Sequence, residues 1–203
     1  TLRLDWLAPA AAALLLDTRD LDLERVEAVT ADGQVQTLAW SLGARDEKLG
    51  RALRIEAPQR PAHVRIHYRT SAHASGLQWL GPEQTADHTA PFMFSQSEAI
   101  HARSWVPLQD TPAVRFTYAA HIRAPRGLRV VMSALGEAGH ALDGEFRFAQ
   151  PHPVPSYLLA FPTAALAARD TGPRSAVDAE PSEVELAARA FADTERFIAS
   201  TEQ

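Results

Sequence analysis

The sequence predicts a mainly β, sandwich-like domain that ends in a short helix. Three observations carry this expectation. Segments with two-residue apolar alternation recur between Thr1 and about Phe161, separated by turn-forming residues. Helical period appears only from Glu180 onward. The 203 residues are 46% apolar and 22% charged, a balance that lets one large domain or two small ones bury a substantial core.

Thr1 to Leu7 alternates imperfectly and reads as a half-buried strand. The chain opens inside that strand without an initiator Met, so the domain's first strand or strands, and any targeting peptide, are expected to lie outside it. Residues 8–13 are alanine-biased without forming a repeat. Leu14 to Leu16 leads into the turn-prone Asp17-Thr-Arg-Asp20. Leu21 and Leu23 alternate with Asp20, Asp22 and Glu24, which places the carboxylates on a solvated strand face. Val26 to Val29, the Asp32-Gly33 turn signal and Val35 to Leu42 read as strand, hairpin turn, strand.

His63 to Arg69 decides a tempting metal motif. Val64, Ile66 and Tyr68 face one way, and His63, Arg65, His67 and Arg69 the other. His63 and His67 have the spacing that brings two imidazoles together on a helix, but on a strand they stand roughly 13 Å apart. One zinc ion cannot take both at ligand distances of about 2 Å. Val114 to Tyr118, Leu128 to Ser133 and Glu145 to Phe148 again show strand period, with Gly136 and Gly139 punctuating the last connection. Pro151 to Pro155 is too rich in proline for a central strand and is expected to lead into the apolar run Tyr157 to Phe161. After Gly172-Pro173 the character changes. Val184, Ala187, Ala188, Phe191 and Ile198 follow helical period, with Pro181 in the first turn. This helix has an apolar face and little chain left to bury it.

The chemistry is mostly set by exclusions. A net charge of −5 disfavours nucleic acid and anionic membrane as partners, and no apolar run approaches the length of a membrane span. Without cysteine there are no disulfides, thiolate metal sites or cysteine nucleophiles, which fits a reducing compartment such as the cytoplasm. No histidine is followed by glutamate, so His-Glu-x-x-His is missing, as are Gly-x-Ser-x-Gly and a phosphate-binding glycine loop. The chain is therefore not expected to act as a self-sufficient hydrolase.

Three runs carry a resemblance. They are Leu77-Gln-Trp-Leu-Gly-Pro-Glu-Gln-Thr85, Pro91-Phe-Met-Phe-Ser-Gln-Ser-Glu-Ala-Ile-His-Ala-Arg103 and Val106-Pro-Leu-Gln-Asp-Thr-Pro112. Pro153-Val-Pro-Ser-Tyr-Leu-Leu-Ala160 and Gly172-Pro-Arg174 follow in order. Together they resemble the leukotriene A(4) hydrolase-like zinc aminopeptidases, in the gluzincin family that includes aminopeptidase N. The resemblance implies a saddle-shaped amino-terminal β-domain over 1–172, and a linker with the first helix of a truncated catalytic domain over 173–203. Zinc would be held by two histidines and a glutamate of that catalytic domain, outside this chain. The Gly-x-Met-Glu-Asn loop that binds the peptide amino end in the family is also missing here, because the two methionines precede Phe94 and Ser133.

The resemblance also implies site residues. The stretch Gln96-Ser-Glu-Ala99 would line the active-site cleft, with Gln96, Glu98 and Ala99 as substrate-binding positions and none of them catalytic. Glu98 would hold the free α-amino group of a peptide, because a carboxylate gives an ammonium a charge-assisted hydrogen bond. The implied partners are peptides with a free amino end and the catalytic and helical domains of the same polypeptide. Arg103 and Asp110 are expected to pair for architecture, Trp79, Phe92 and Phe94 to be core, and His101 to be packed or hydrogen-bonded. The alternative from another class is a stand-alone β-sandwich used for binding or scaffolding. Exposed apolar surface separates the two readings.

Overall fold

The computed structural model describes residues 1–7, 12–30, 32–136 and 144–202. Its backbone is built mainly of antiparallel strands and divides into two compact units. The first comprises 1–77, 96–116 and 154–159; the second comprises 78–95, 117–153 and 160–203.

In the first unit, seven strands form two sheets. They are β1 (Leu2–Arg3), β2 (Ala13–Thr18), β3 (Asp22–Val29), β4 (Val35–Thr37), β5 (Trp40–Leu42), β6 (Arg51–Glu56) and β7 (His63–Arg69). One sheet has the order β1-β7-β3-β4 and the other β2-β6-β5, with antiparallel pairing in both. Strand alternation builds the core directly: Leu14 and Leu16 are buried while Leu15 between them is exposed. These leucines join Val26, Ala28, Leu38, Leu53, Ile55 and Val64 in one cluster drawn from both sheets. Each such side chain contributes about 1.5–3 kcal/mol on burial.

The hairpin at Asp32-Gly33 forms where the sequence places it. Gly33 has φ +82°, and its amide donates to the Thr30 carbonyl at 3.0 Å. Ala31 and most of the alanine-biased run lie outside the described residues, as does Gly139. The single strand expected over Val35 to Leu42 is instead two, β4 and β5, in different sheets. Buried Leu38 marks the crossing. Its amide still bonds Val26, whereas the carbonyl of Ala39 already accepts from Glu56 in the other sheet. Alternation cannot distinguish one long strand from two that change partner through the core.

In the second unit, or entering it, are β8 (Leu77–Leu80), β9 (Phe92–Ser95), β10 (Arg115–Arg123), β11 (Arg129–Val130), β12 (Leu135–Gly136), β13 (Glu145–Pro155), β14 (Thr163–Ala164), β15 (Ala167–Gly172) and β16 (Ser175–Ala179). The sheet orders are β11-β14-β9-β8, β10-β13-β12 and β15-β16. The proline-rich run 151–155 is the end of β13, the middle strand of its sheet, which corrects the expectation that its prolines keep it out of a central strand. Its three prolines share strand parity, so their missing N–H groups lie along one edge. The β12 pairing on β13 ends at Ala149, before the first of them.

The C-terminal helical stretch is two short helices, α1 (Val184–Ala190) and α2 (Thr194–Thr201). At the break the Thr194 hydroxyl donates to the Phe191 carbonyl at 2.7 Å, a local bond that competes with helix continuation. Gly172-Pro173 lies at the turn of the β15–β16 hairpin, in which Gly172 pairs with Ser175. Among the described residues no helix is long and apolar enough to cross a membrane.

Candidate functional site

In the first unit, residues 96–105 form a loop that faces outward on one side and into the unit on the other. Gln96, Glu98 and Ala99 are exposed, whereas Ser97 between them is 1% exposed. The Gln96 amide donates to the Gly76 carbonyl at 2.9 Å, and the His101 amide donates to the Ser97 carbonyl at 2.9 Å, closing the turn. The Glu98–Ala99 peptide bond is cis. A 3₁₀ turn over Ala102–Ser104 follows.

The outer side carries two exposed polar side chains. The Glu98 amide donates to Gln96 Oε1 at 3.0 Å, so the Gln96 carboxamide oxygen is engaged within the loop and its Nε2 donors remain for a ligand. Among the described residues, no cation pairs with the Glu98 carboxylate. Two exposed groups, an unneutralised carboxylate and an amide donor, thus leave the same short loop. Such a pair suits a ligand with an ammonium beside a carbonyl. The sequence-derived residues Gln96, Glu98 and Ala99 are therefore together on one surface.

The inner side is densely bonded. Ser97 Oγ donates to the Leu159 carbonyl at 2.7 Å and accepts from Trp105 Nε1 at 3.2 Å. Ser104 Oγ donates to the His101 carbonyl at 2.7 Å and accepts from the Gly76 amide at 2.8 Å. His101 Nδ1 stands 2.8 Å from Ser75 Oγ, so this histidine is hydrogen-bonded as expected. A Cβ at Gly76 would lie 2.6 Å from the His101 carbonyl oxygen and 2.9 Å from Trp105 Cδ1, which leaves room only for glycine.

Arg103 and Asp110 form the expected architectural pair, almost wholly buried at 6% and 0% side-chain exposure. Arg103 Nε donates to Asp110 Oδ2 at 3.0 Å, Nη2 to the Asp110 carbonyl at 3.0 Å, and Nη1 to the Leu49 carbonyl at 3.0 Å. Ser156 Oγ donates to Asp110 Oδ1 at 2.6 Å, and Asp17 Oδ2 accepts from the Asp110 amide at 2.9 Å. Every buried charge here has partners, which offsets its desolvation. The Tyr68 hydroxyl donates to the Trp105 carbonyl at 3.0 Å, and burial pushes its pKa up to about 12.

One expectation fails in the second unit. Trp79 is 59% exposed and Phe94 is also exposed, so neither is core; Phe92 is half-buried and meets Phe94 edge-to-face at 6.3 Å. Strand alternation turns Phe94 away from buried Met93, and β8 is the edge strand of its sheet. Ser97, Trp105 and Gly76, which shape the loop, are residues that sequence reasoning missed. A serine between two polar neighbours gives no periodic signal of burial.

The family model for the peptidase M1 N-terminal domain matches residues 4–158. Leukotriene A-4 hydrolase of Xenopus laevis is 39% identical over 202 residues, 95% of this chain and 32% of that protein. Leucine aminopeptidase 2 of Yarrowia lipolytica is 39% identical over 93% of this chain and 29% of its own length. The solved leukotriene A4 hydrolase of Saccharomyces cerevisiae superposes with a TM-score of 0.85 at 35% identity, over 98% of this chain and 30% of that one. The chain thus spans about a third of the length of the relatives it matches.

Proposed function

Because the chain belongs to the peptidase M1 N-terminal domain family, we propose that it is the amino-terminal β-domain of a zinc aminopeptidase, supplying part of the site that holds a peptide's free amino end. The observation that carries this reading is the loop at 96–99, where exposed Glu98 and Gln96 stand together on a rigidly bonded base. Glu98 accepts from the substrate ammonium, and Gln96 Nε2 donates to a substrate carbonyl, since Gln96 Oε1 is taken by the Glu98 amide. Ala99 contributes a small wall beside them. Anchoring the amine sets which peptide bond meets the catalytic centre, so cleavage removes terminal residues and not internal ones.

Zinc belongs to this reading through the resemblance. Among the described residues no group of three or more His, Asp or Glu side chains could hold a metal ion. The reading therefore assigns zinc to the rest of the polypeptide. The chain's part is binding and orientation, with catalysis assigned to the rest of the polypeptide. Residues 173–203 open that catalytic domain. Their first strand, β16, pairs with β15 across Gly172-Pro173, so the proposed junction is a hairpin and not a loose linker.

The test is Glu98→Gln in the full-length enzyme, assayed on an aminoacyl arylamide. Replacing the charged acceptor by a neutral one should raise KM about tenfold, with the thermal midpoint unchanged. An unchanged kcat/KM in a folded variant removes Glu98 from the site.

A further inference from the structure

We propose that Ser97 is a positioning residue for amino-end binding: its buried hydroxyl fixes the direction in which Gln96 and Glu98 leave the loop. The inference rests on the assignment of those two side chains to the substrate.

Ser97 is the inward residue between two outward ones, and it is 1% exposed. Its hydroxyl is used in both directions, donating to the Leu159 carbonyl at 2.7 Å and accepting from Trp105 Nε1 at 3.2 Å. Both partners are also held by residues outside the 96–99 stretch. Leu159 follows the Ser156–Leu158 3₁₀ turn, its amide donating to the Ser156 carbonyl at 3.0 Å, and Ser156 Oγ donates to buried Asp110. Asp110 is in turn held by Arg103. On the other side, the Trp105 carbonyl accepts from the Tyr68 hydroxyl. A chain of hydrogen bonds therefore runs from the buried ion pair to the peptide that carries Glu98.

The geometry decides what gives way when the hydroxyl is removed. Alanine at 97 leaves a buried carbonyl and a buried indole N–H without a partner, each of which is costly in the absence of water. Leu159 and Trp105 are also tied to other elements, whereas among the described residues the outer stretch is held by the bond from Gln96 to Gly76, the His101 turn and the local bond from the Glu98 amide to Gln96 Oε1. The relaxation falls on residue 97. Because 96 and 98 share its flanking peptide planes, any turn of residue 97 re-aims both exposed side chains. Misplacement by about 1 Å is enough to weaken a positioned contact substantially.

The experiment compares Ser97→Ala, Ser97→Cys, Trp105→Phe and Glu98→Gln in the full-length enzyme, with an aminoacyl arylamide as substrate. Ser97→Ala should raise KM about fivefold while kcat per active site stays within about twofold. Ser97→Cys keeps the size and a weak donor, and should restore part of the KM. Trp105→Phe removes the N–H aimed at Ser97 together with part of the buried ring, and should raise KM in the same direction, without adding fully to Ser97→Ala in the double variant. A merely structural hydroxyl lowers the thermal midpoint and the active fraction but leaves KM at the wild-type value, and that result overturns the proposal. If Ser97→Ala does not fold, an unchanged KM in Trp105→Phe overturns it equally. Should Glu98→Gln itself leave KM unchanged, the amino-end assignment fails first. A raised KM in Glu98→Gln with normal KM in folded Ser97→Ala sinks only the positioning role.

Discussion

Ionisable groups in the first unit differ in what burial does to them. Asp110 and Arg103 are buried as a pair, bonded to each other, with Ser156 and Leu49 as further partners. Tyr68 is instead held in its neutral form, because burial opposes the phenolate and its hydroxyl donates to Trp105. Its folded pKa of about 12 exceeds the usual 10.0, so the folded state keeps the proton longer than the unfolded chain. The stabilisation is complete below about pH 10 and is lost as pH rises from there through about 12. Urea unfolding of the wild type should therefore show stability falling across that window. Tyr68→Phe should cost about 1 kcal/mol at neutral pH through the lost hydrogen bond, and its stability should fall less steeply in alkali. A residual slope is expected from Tyr118, whose pKa is also raised by burial. An equally steep loss in the phenylalanine variant would assign the alkaline transition to other groups.

Tight turns limit what the strands tolerate, and Gly50 shows it most sharply. It has φ +80°, forms an isolated bridge with Asp46, and a Cβ there would collide with the Thr18 carbonyl oxygen. Asp46 caps the same turn by accepting from the Lys48 and Leu49 amides at 2.8 and 2.7 Å, bonds that hold its carboxyl below the usual range. Gly50→Ala should destabilise by about 2 kcal/mol or more, seen as a lower thermal midpoint, and a neutral result would mean the turn rearranges freely. Gly50 carried no strand signal in the sequence, whereas Gly33 did, because Asp32-Gly33 sits between two alternating runs. The same contrast runs through the fold. His63 to Arg69 was legible because its alternation fits one strand paired along one sheet, with Val64 buried in it. The sheet change at Leu38, the strand through Pro151 and Pro153, and the helix break at Thr194 were not, since each depends on partners distant in sequence or on one local hydroxyl. At the site, Gln96, Glu98 and Ala99 were reached only through the resemblance of the surrounding motif. Ser97 bonds a carbonyl 62 residues away, which no local pattern records.

On the scale of the whole molecule, the second unit leaves large apolar side chains uncovered. Trp79 and Phe94 lie on neighbouring strands of one sheet, Leu186 and Phe197 on the terminal helices and Phe191 between them, each exposed. Single exposed apolar residues need no explanation, but a docking surface requires several such residues. In the proposed parent enzyme the rest of the polypeptide would supply the cover, since the chain spans about a third of its relatives' length. A stable cover would bury above about 1,000 Å². The 203-residue chain in isolation should then bind an environment-sensitive dye such as anilinonaphthalene sulfonate and self-associate in sedimentation. The full-length polypeptide should show a much weaker signal per molecule, because the same side chains are withdrawn from water there. If the short chain is instead a clean monomer with no dye response, its exposed aromatics do not form a continuous docking face. The stand-alone binding module would then be the better reading, and Glu98 would need a ligand other than a peptide held by a neighbouring domain.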